Sequence, residues 1–198
     1  MSRSQPAAPS ALQDRAIADL RFIRETLTTA TAFTALSGLA FIAMGAGALL
    51  TVALTNRMAD PLLQVAGWVA DAGVSVGMGA LGAVWKAQKT GQSLRSGPFR
   101  RFLLGLAPAI FAGAVLTLLA VSIGQYTLLP PLWLLLYGTG LLAAGAFSIR
   151  VVPLLGASFL ALGTVAAFVP ANGPILLAVG FGGLHLAFGY VIARHHGG

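Results

Sequence analysis

The chain contains no cysteine, which excludes disulfides, thiolate zinc sites, iron–sulfur clusters and thiol catalysis. Acidic side chains are scarce as well, with 5 Asp and Glu against 12 Lys and Arg in 198 residues. Charged residues make up only 9% of the sequence, far below the roughly 25% of a soluble domain. A soluble globule is thereby excluded. Hydrocarbon takes the place of charge: 57% of the residues are hydrophobic and the mean hydropathy is +0.86. A membrane span needs about 20 apolar residues, so a chain of this length holds about six or seven spans and leaves little for an extramembrane domain.

The apolar stretches run over 31–54, 62–85, 102–123, 129–149, 151–169 and 174–193, which predicts a bundle of six transmembrane helices and an all-α integral membrane fold. Helix-start chemistry falls at the right places. Asp60-Pro61 offers an N-cap and an N1 proline for the second span, and Pro131, Pro153 and Pro174 lie near the starts of the fourth, fifth and sixth. Trp68, Trp85, Trp133 and Tyr126 sit close to span ends, where aromatic belts form. Only Ile149, Arg150 and Val151 separate spans four and five, and because a buried Arg is costly the turn is placed at Arg150 and Pro153.

Residues 1–9 are small and polar and form a tail without assigned structure. Ser10 and Gln13 have capping-box spacing, and Leu12, Ala16, Ile17, Leu20, Ile23 and Leu27 follow at helical intervals. An amphipathic helix over 10–30 is therefore expected to lead into span one, with 195–198 as a short tail at the other terminus. A secretory leader is the competing reading, but its apolar core is usually only 7–15 residues, so span one is expected to be retained.

Basic residues fix the expected orientation. Arg3, Arg15, Arg21 and Arg24 precede span one; Lys86, Lys89, Arg95, Arg100 and Arg101 lie between spans two and three; Arg150 and Arg194 follow spans four and six. With both termini in the cytoplasm of a bacterium, only Arg57 is outside. This distribution also accounts for the net charge of +7, so no direct nucleic-acid binding is expected. The 86–101 segment carries five cations and no acid, and contact with anionic lipid of the inner leaflet is its default role. Docking of a soluble cytoplasmic partner on that segment and the amphipathic helix is the sharper alternative.

Glycines recur seven residues apart, two helical turns, at Gly38 and Gly45, Gly138 and Gly145, Gly156 and Gly163, and Gly182 and Gly189. Gly73 and Gly77 add a GxxxG pair on span two. Gly105, Ala109 and Gly113 form a similar row on span three. Such faces let backbones approach closely, either within the bundle or in a homo-oligomer. FIAMGAGALL at 41–50 and FLALGTVAAF at 159–168 are weakly alike, but they occupy spans one and five and support no inverted repeat.

Candidate chemistry is sparse. Asp71 is the one acid expected inside the hydrocarbon, about 13–14 Å from the start of its span. His185 lies about 16–17 Å into span six, so the two can share a depth. Tyr137 and Ser158 are similarly deep, and together the four make a candidate polar site able to relay a proton or bind a cation. The bland reading is that Asp71 and His185 hydrogen-bond neighbours and set helix register. A start of span two nearer Trp68 would instead leave Asp71 at the headgroups. His195 and His196, without a carboxylate or thiolate, read as an interfacial tail, so neither a metal nor another cofactor is expected. No phosphate loop, serine triad or HExxH motif occurs.

RFIRETLTTATAFTALSG at 21–38, SGPFRRF at 96–102, LWLLLYGTGLLAAGAFSIRVVP at 132–153 and GFGGLHLAFGYVIARHHGG at 180–198 together resemble a family of uncharacterised bacterial membrane proteins. The resemblance covers about a third of the chain and implies six inner-membrane spans, no assigned activity and, through neighbouring winged-helix regulators in some genomes, sensing or regulation. Gly156, Gly163 and Pro170 give a looser likeness to HdeD-type acid-resistance membrane proteins. The reading that follows is a non-enzymatic membrane protein with a structural, stress-related or regulatory role. Its rival is a small proton-coupled transporter or channel-like protein using Asp71 and His185; an enzyme acting on a lipid or carrier substrate is a third.

Overall fold

The structure, a computed structural model, describes residues 14–20, 22–23, 34, 36–91, 93 and 96–196, and divides into a unit of residues 1–32 and a unit of residues 33–198. In the first unit, residues 14–20 and 22–23 are helical (α1), with Ile17, Leu20, Phe22 and Ile23 more than half exposed. The capping pair Ser10 and Gln13, with Leu12 and Leu27, lies outside the described residues.

The second unit consists of α2 (Gly38–Thr55), α3 (Pro61–Thr90), α4 (Gly97–Ser122), α5 (Leu129–Gly145), α6 (Val151–Phe168) and a composite helix α7. The last is built from Gly173–Leu177, a π-helical stretch Ala178–Leu184 and His185–His196. All six are long and apolar enough to cross a membrane, so the chain is a multi-pass, all-α membrane protein.

Local chemistry sets their limits. Span one begins seven residues later than its apolar run, because Ser37 is the N-cap and its hydroxyl accepts from the Ala40 amide at 3.3 Å. Asp60 caps α3 through the Leu62 amide at 2.9 Å, with Pro61 as the first helical residue. At the far end α3 continues to Thr90 and stops at Gly91, whose φ of 66° is left-handed. Lys86 and Lys89 are therefore helical, and the basic connection narrows to residues 91–96. Ser96 caps α4 in turn, accepting from the Phe99 amide at 3.4 Å.

Antiparallel neighbours pack in two sets: α2 against α3 and α7, and α5 against α4 and α6. Glycine faces bring the backbones together. A β-carbon on Gly45 would lie 2.8 Å from the Gly182 carbonyl, one on Gly189 would lie 2.8 Å from the Ile42 amide, and Gly38 abuts the Ala193 backbone. Between α5 and α6, Gly138 faces the Gly156 carbonyl, Gly163 faces Leu135 and Gly145 faces Pro153, each at 2.7–2.8 Å by the same measure. Gly105 of α4 lies against Ala144, and Ala109 against Gly140.

Gly73 and Gly77 depart from the expectation of a packing face within the bundle. A β-carbon on either meets nothing within 4 Å, because α3 turns a different face toward α2, the one carrying Gly67, Gly79 and Gly82. Gly113 is also loosely seated, 3.7 Å from Leu136.

Several hydroxyls inside the spans are satisfied within their own helix. Thr55, Thr139, Ser158 and Thr164 each donate to the carbonyl four residues back at 2.7–2.9 Å. The Trp133 indole is an exception: it donates to Thr117 Oγ1 at 2.8 Å, while that hydroxyl donates to the Gly113 carbonyl at 2.7 Å and so ties α5 to α4.

Candidate functional site

His185 occupies the point where the π-helical stretch of α7 returns to α-helix, and it is 3% exposed. A π turn is rare and needs a local reason. Here it spans the glycine-rich run Ala178–Leu184, where Gly180 and Gly182 allow close approach. A β-carbon on Gly180 would lie 2.6 Å from Leu134 Cδ2, and Gly182 receives the Leu49 side chain.

Four rings enclose the imidazole. Phe181 stacks on it with an interplanar angle of 14°, Phe159 meets it edge-on with centroids 5.5 Å apart, and Phe41 and Tyr137 lie at 5.5 Å. These are the offset and edge-to-face arrangements that aromatic quadrupoles favour. Tyr137 Oη and His185 Nε2 are hydrogen-bonded at 2.9 Å. Nδ1 faces the Gly180 and Phe181 carbonyls of its own helix without completing a hydrogen bond to either. Carbonyls can only accept, so the fitting tautomer carries its proton on Nδ1, and Nε2 accepts from the Tyr137 hydroxyl.

Asp71 and Ser158 do not join this cage. Asp71 faces α2, with the Thr51 side chain beside its carboxylate and its Oδ1 3.1 Å from the place a β-carbon of Gly47 would occupy. His185 lies on α7 between Gly182 and Leu186, whose backbones pack against Gly45, two residues or about 3 Å of rise from Gly47, so it lies at a depth similar to that of Asp71. The two face different neighbours, α2 for Asp71 and Tyr137 of α5 for His185. The sequence gives each residue's distance from its own span end but not the direction in which its side chain points. Ser158 turns its hydroxyl to the Leu154 carbonyl at 2.9 Å, away from Tyr137.

Lys86 also departs from its expected role at the lipid surface. It is 4% exposed, and its Nζ donates to the Leu36 carbonyl at 2.7 Å, just ahead of the α2 N-cap. Its butyl stem is long enough to carry an ammonium from α3 to that carbonyl. Lys89, Arg100 and Arg101 are exposed. The Lys89 ammonium lies over the Trp85 ring at 4.6 Å, and the Arg101 guanidinium lies 5.9 Å from the Phe147 centroid. Arg95 lies outside the described residues. Near the chain end, Arg194 donates to Tyr190 Oη at 3.2 Å and His195 Nδ1 lies 3.1 Å from the Val191 carbonyl; the His196 side chain is outside the description.

Sequence reasoning passed over Phe41, Phe159 and Phe181, because apolar rings in an apolar span carry no local signal. The glycines at 180, 182 and 183 were the available hint that the helix does something unusual beside His185. No family model matches the chain, and no curated protein or solved structure matches it either.

Proposed function

We propose that the protein is a non-enzymatic component of a bacterial inner membrane, with both termini in the cytoplasm. Its structural, stress-related or regulatory role is exerted through the basic end of the bundle. The observation that carries the reading is the pairing of exposed cations with interfacial rings at that end: Lys89 over Trp85 and Arg101 over Phe147. Aromatic side chains belong at the headgroup level, and cations held beside them meet anionic headgroups with about 1 kcal/mol of attraction each. Arg100 and Arg194 are exposed at the same end. This surface fits phosphate headgroups of the inner leaflet or an acidic soluble partner.

The test compares the wild type with Arg100→Ala/Arg101→Ala in vesicles rich in anionic lipid and in zwitterionic vesicles, together with co-purification from membranes. The reading expects anionic lipid to raise the melting temperature of the wild type more than that of the variant, or a soluble partner retained only by the wild type. Equal lipid response and no differential partner would refute it.

Proton-coupled transport is the second reading, favoured by a buried His185 that bonds Tyr137 beside a π-helical turn. Its difficulty is that Asp71 turns toward Gly47 on α2 while His185 turns toward Tyr137 on α5, so a relay through both residues lacks continuity.

A further inference from the structure

The helices α2 and α7 pack through glycines at one end and line a groove at the other. Gly38, Gly45, Gly182 and Gly189 hold the backbones together over the half nearest Lys86. Beyond Gly45 the facing residues are Leu49, Val52 and Asn56 on α2, and Pro174, Ile175, Ala178 and Val179 on α7. Side chains of that size do not allow the approach that glycines do, and a groove of about 360 Å³ lies between them. Residues 49, 52 and 56 share one helical face, and the seven-residue rise makes the groove about 10–11 Å long. That length fits within one leaflet, half of a hydrocarbon core about 30 Å thick.

The lining is apolar apart from the Asn56 side chain at the mouth. Arg57 follows directly, exposed, and is the one Lys or Arg that the loop count puts at this end of the bundle. Asp60, the nearby acid, commits Oδ1 to capping α3. A slot of hydrocarbon lining that ends in an amide and a guanidinium matches an amphiphile with a negatively charged head.

We propose that the α2–α7 groove binds one acyl chain of an anionic phospholipid from the leaflet at the Arg57 end, with its phosphate held at Asn56 and Arg57. The site lies at the opposite end of the bundle from the basic surface described above and stands independently of it. It also gives the solitary Arg57 a role.

The experiment is native mass spectrometry of the purified full chain, titrated with phosphatidylglycerol and with phosphatidylcholine of identical acyl chains. The wild type is expected to retain one phosphatidylglycerol more tightly than phosphatidylcholine. Arg57→Gln should lower phosphatidylglycerol affinity about fivefold and abolish the preference, the effect of one interfacial cation. Val179→Trp should fill the groove and weaken both lipids. Ile175→Trp, at a position 63% exposed, serves the same purpose should the first variant misfold, with melting temperature recorded for each. Unchanged phosphatidylglycerol binding in Arg57→Gln overturns the proposal, as does a preference that disappears only in Arg100→Ala/Arg101→Ala. Loss of preference in Arg57→Gln with no effect of the tryptophan variants would place the lipid outside the groove, which also overturns it.

Discussion

Tyr137 on α5 and His185 on α7 are joined by a 2.9 Å hydrogen bond inside a box of phenylalanine rings, and this bond is a polar link between the two packing sets of the bundle. Removing the hydroxyl with Tyr137→Phe leaves Nε2 buried without its donor, a loss of about 1–2 kcal/mol. His185→Leu removes the need for that donor. The double variant should therefore be less destabilised than the sum of the single ones, with a coupling of about 0.6–1.7 kcal/mol in a thermal or denaturant unfolding cycle in detergent. Strict additivity would show that the two groups do not act on each other.

The glycine faces make a paired prediction. Gly138→Leu would drive a side chain into the Gly156 carbonyl and α6 backbone, where a β-carbon already sits at 2.8 Å, and should cost about 1–3 kcal/mol or prevent folding. Gly73→Leu, with nothing within 4 Å of its β-carbon, should leave monomer stability within about 0.5 kcal/mol. Melting temperatures of the two variants in the same detergent check this, and equal losses would contradict the assignment of faces.

Lys86 and Lys89 are three residues apart but do different work. Lys86→Met removes the donor to the Leu36 carbonyl and should destabilise the bundle by about 1–3 kcal/mol. Lys89→Met gives up only an exposed stacking contact with Trp85, worth under about 1 kcal/mol. Lipid dependence should show the reverse order, with Lys89→Met the more affected.

These contrasts mark where sequence reading succeeds and where it stops. Caps such as Asp60-Pro61 and the seven-residue glycine spacing are local, so they could be read directly. The partner of a side chain across the bundle is not local. Depth alone pairs Asp71 with His185, but the carboxylate turns toward Gly47 on α2 and the imidazole toward Tyr137 on α5. A charged run near a span end suggests a loop, so Lys86 was placed at the surface; helical propensity carries α3 on to Thr90 and folds that lysine inward. GxxxG at Gly73 and Gly77 shows that an approach is allowed, not that a helix is there.

If Asp71 serves helix register against α2 and no proton pathway, Asp71→Asn should leave any proton permeability of reconstituted vesicles unchanged. A pH-sensitive dye trapped inside reports it. A wild-type flux abolished by both Asp71→Asn and His185→Leu would favour the transport reading over the one proposed.

Sidedness underlies the proposed role, and the lack of cysteine makes it directly measurable. Ser93→Cys in the connection between α3 and α4, and Asn172→Cys between α6 and α7, each introduce a single exposed thiol. With a membrane-impermeant maleimide applied to spheroplasts, Asn172→Cys should label at once and Ser93→Cys only after lysis. Labelling of Ser93→Cys in intact spheroplasts, with Asn172→Cys protected, would contradict a cytoplasmic basic face and the function built on it.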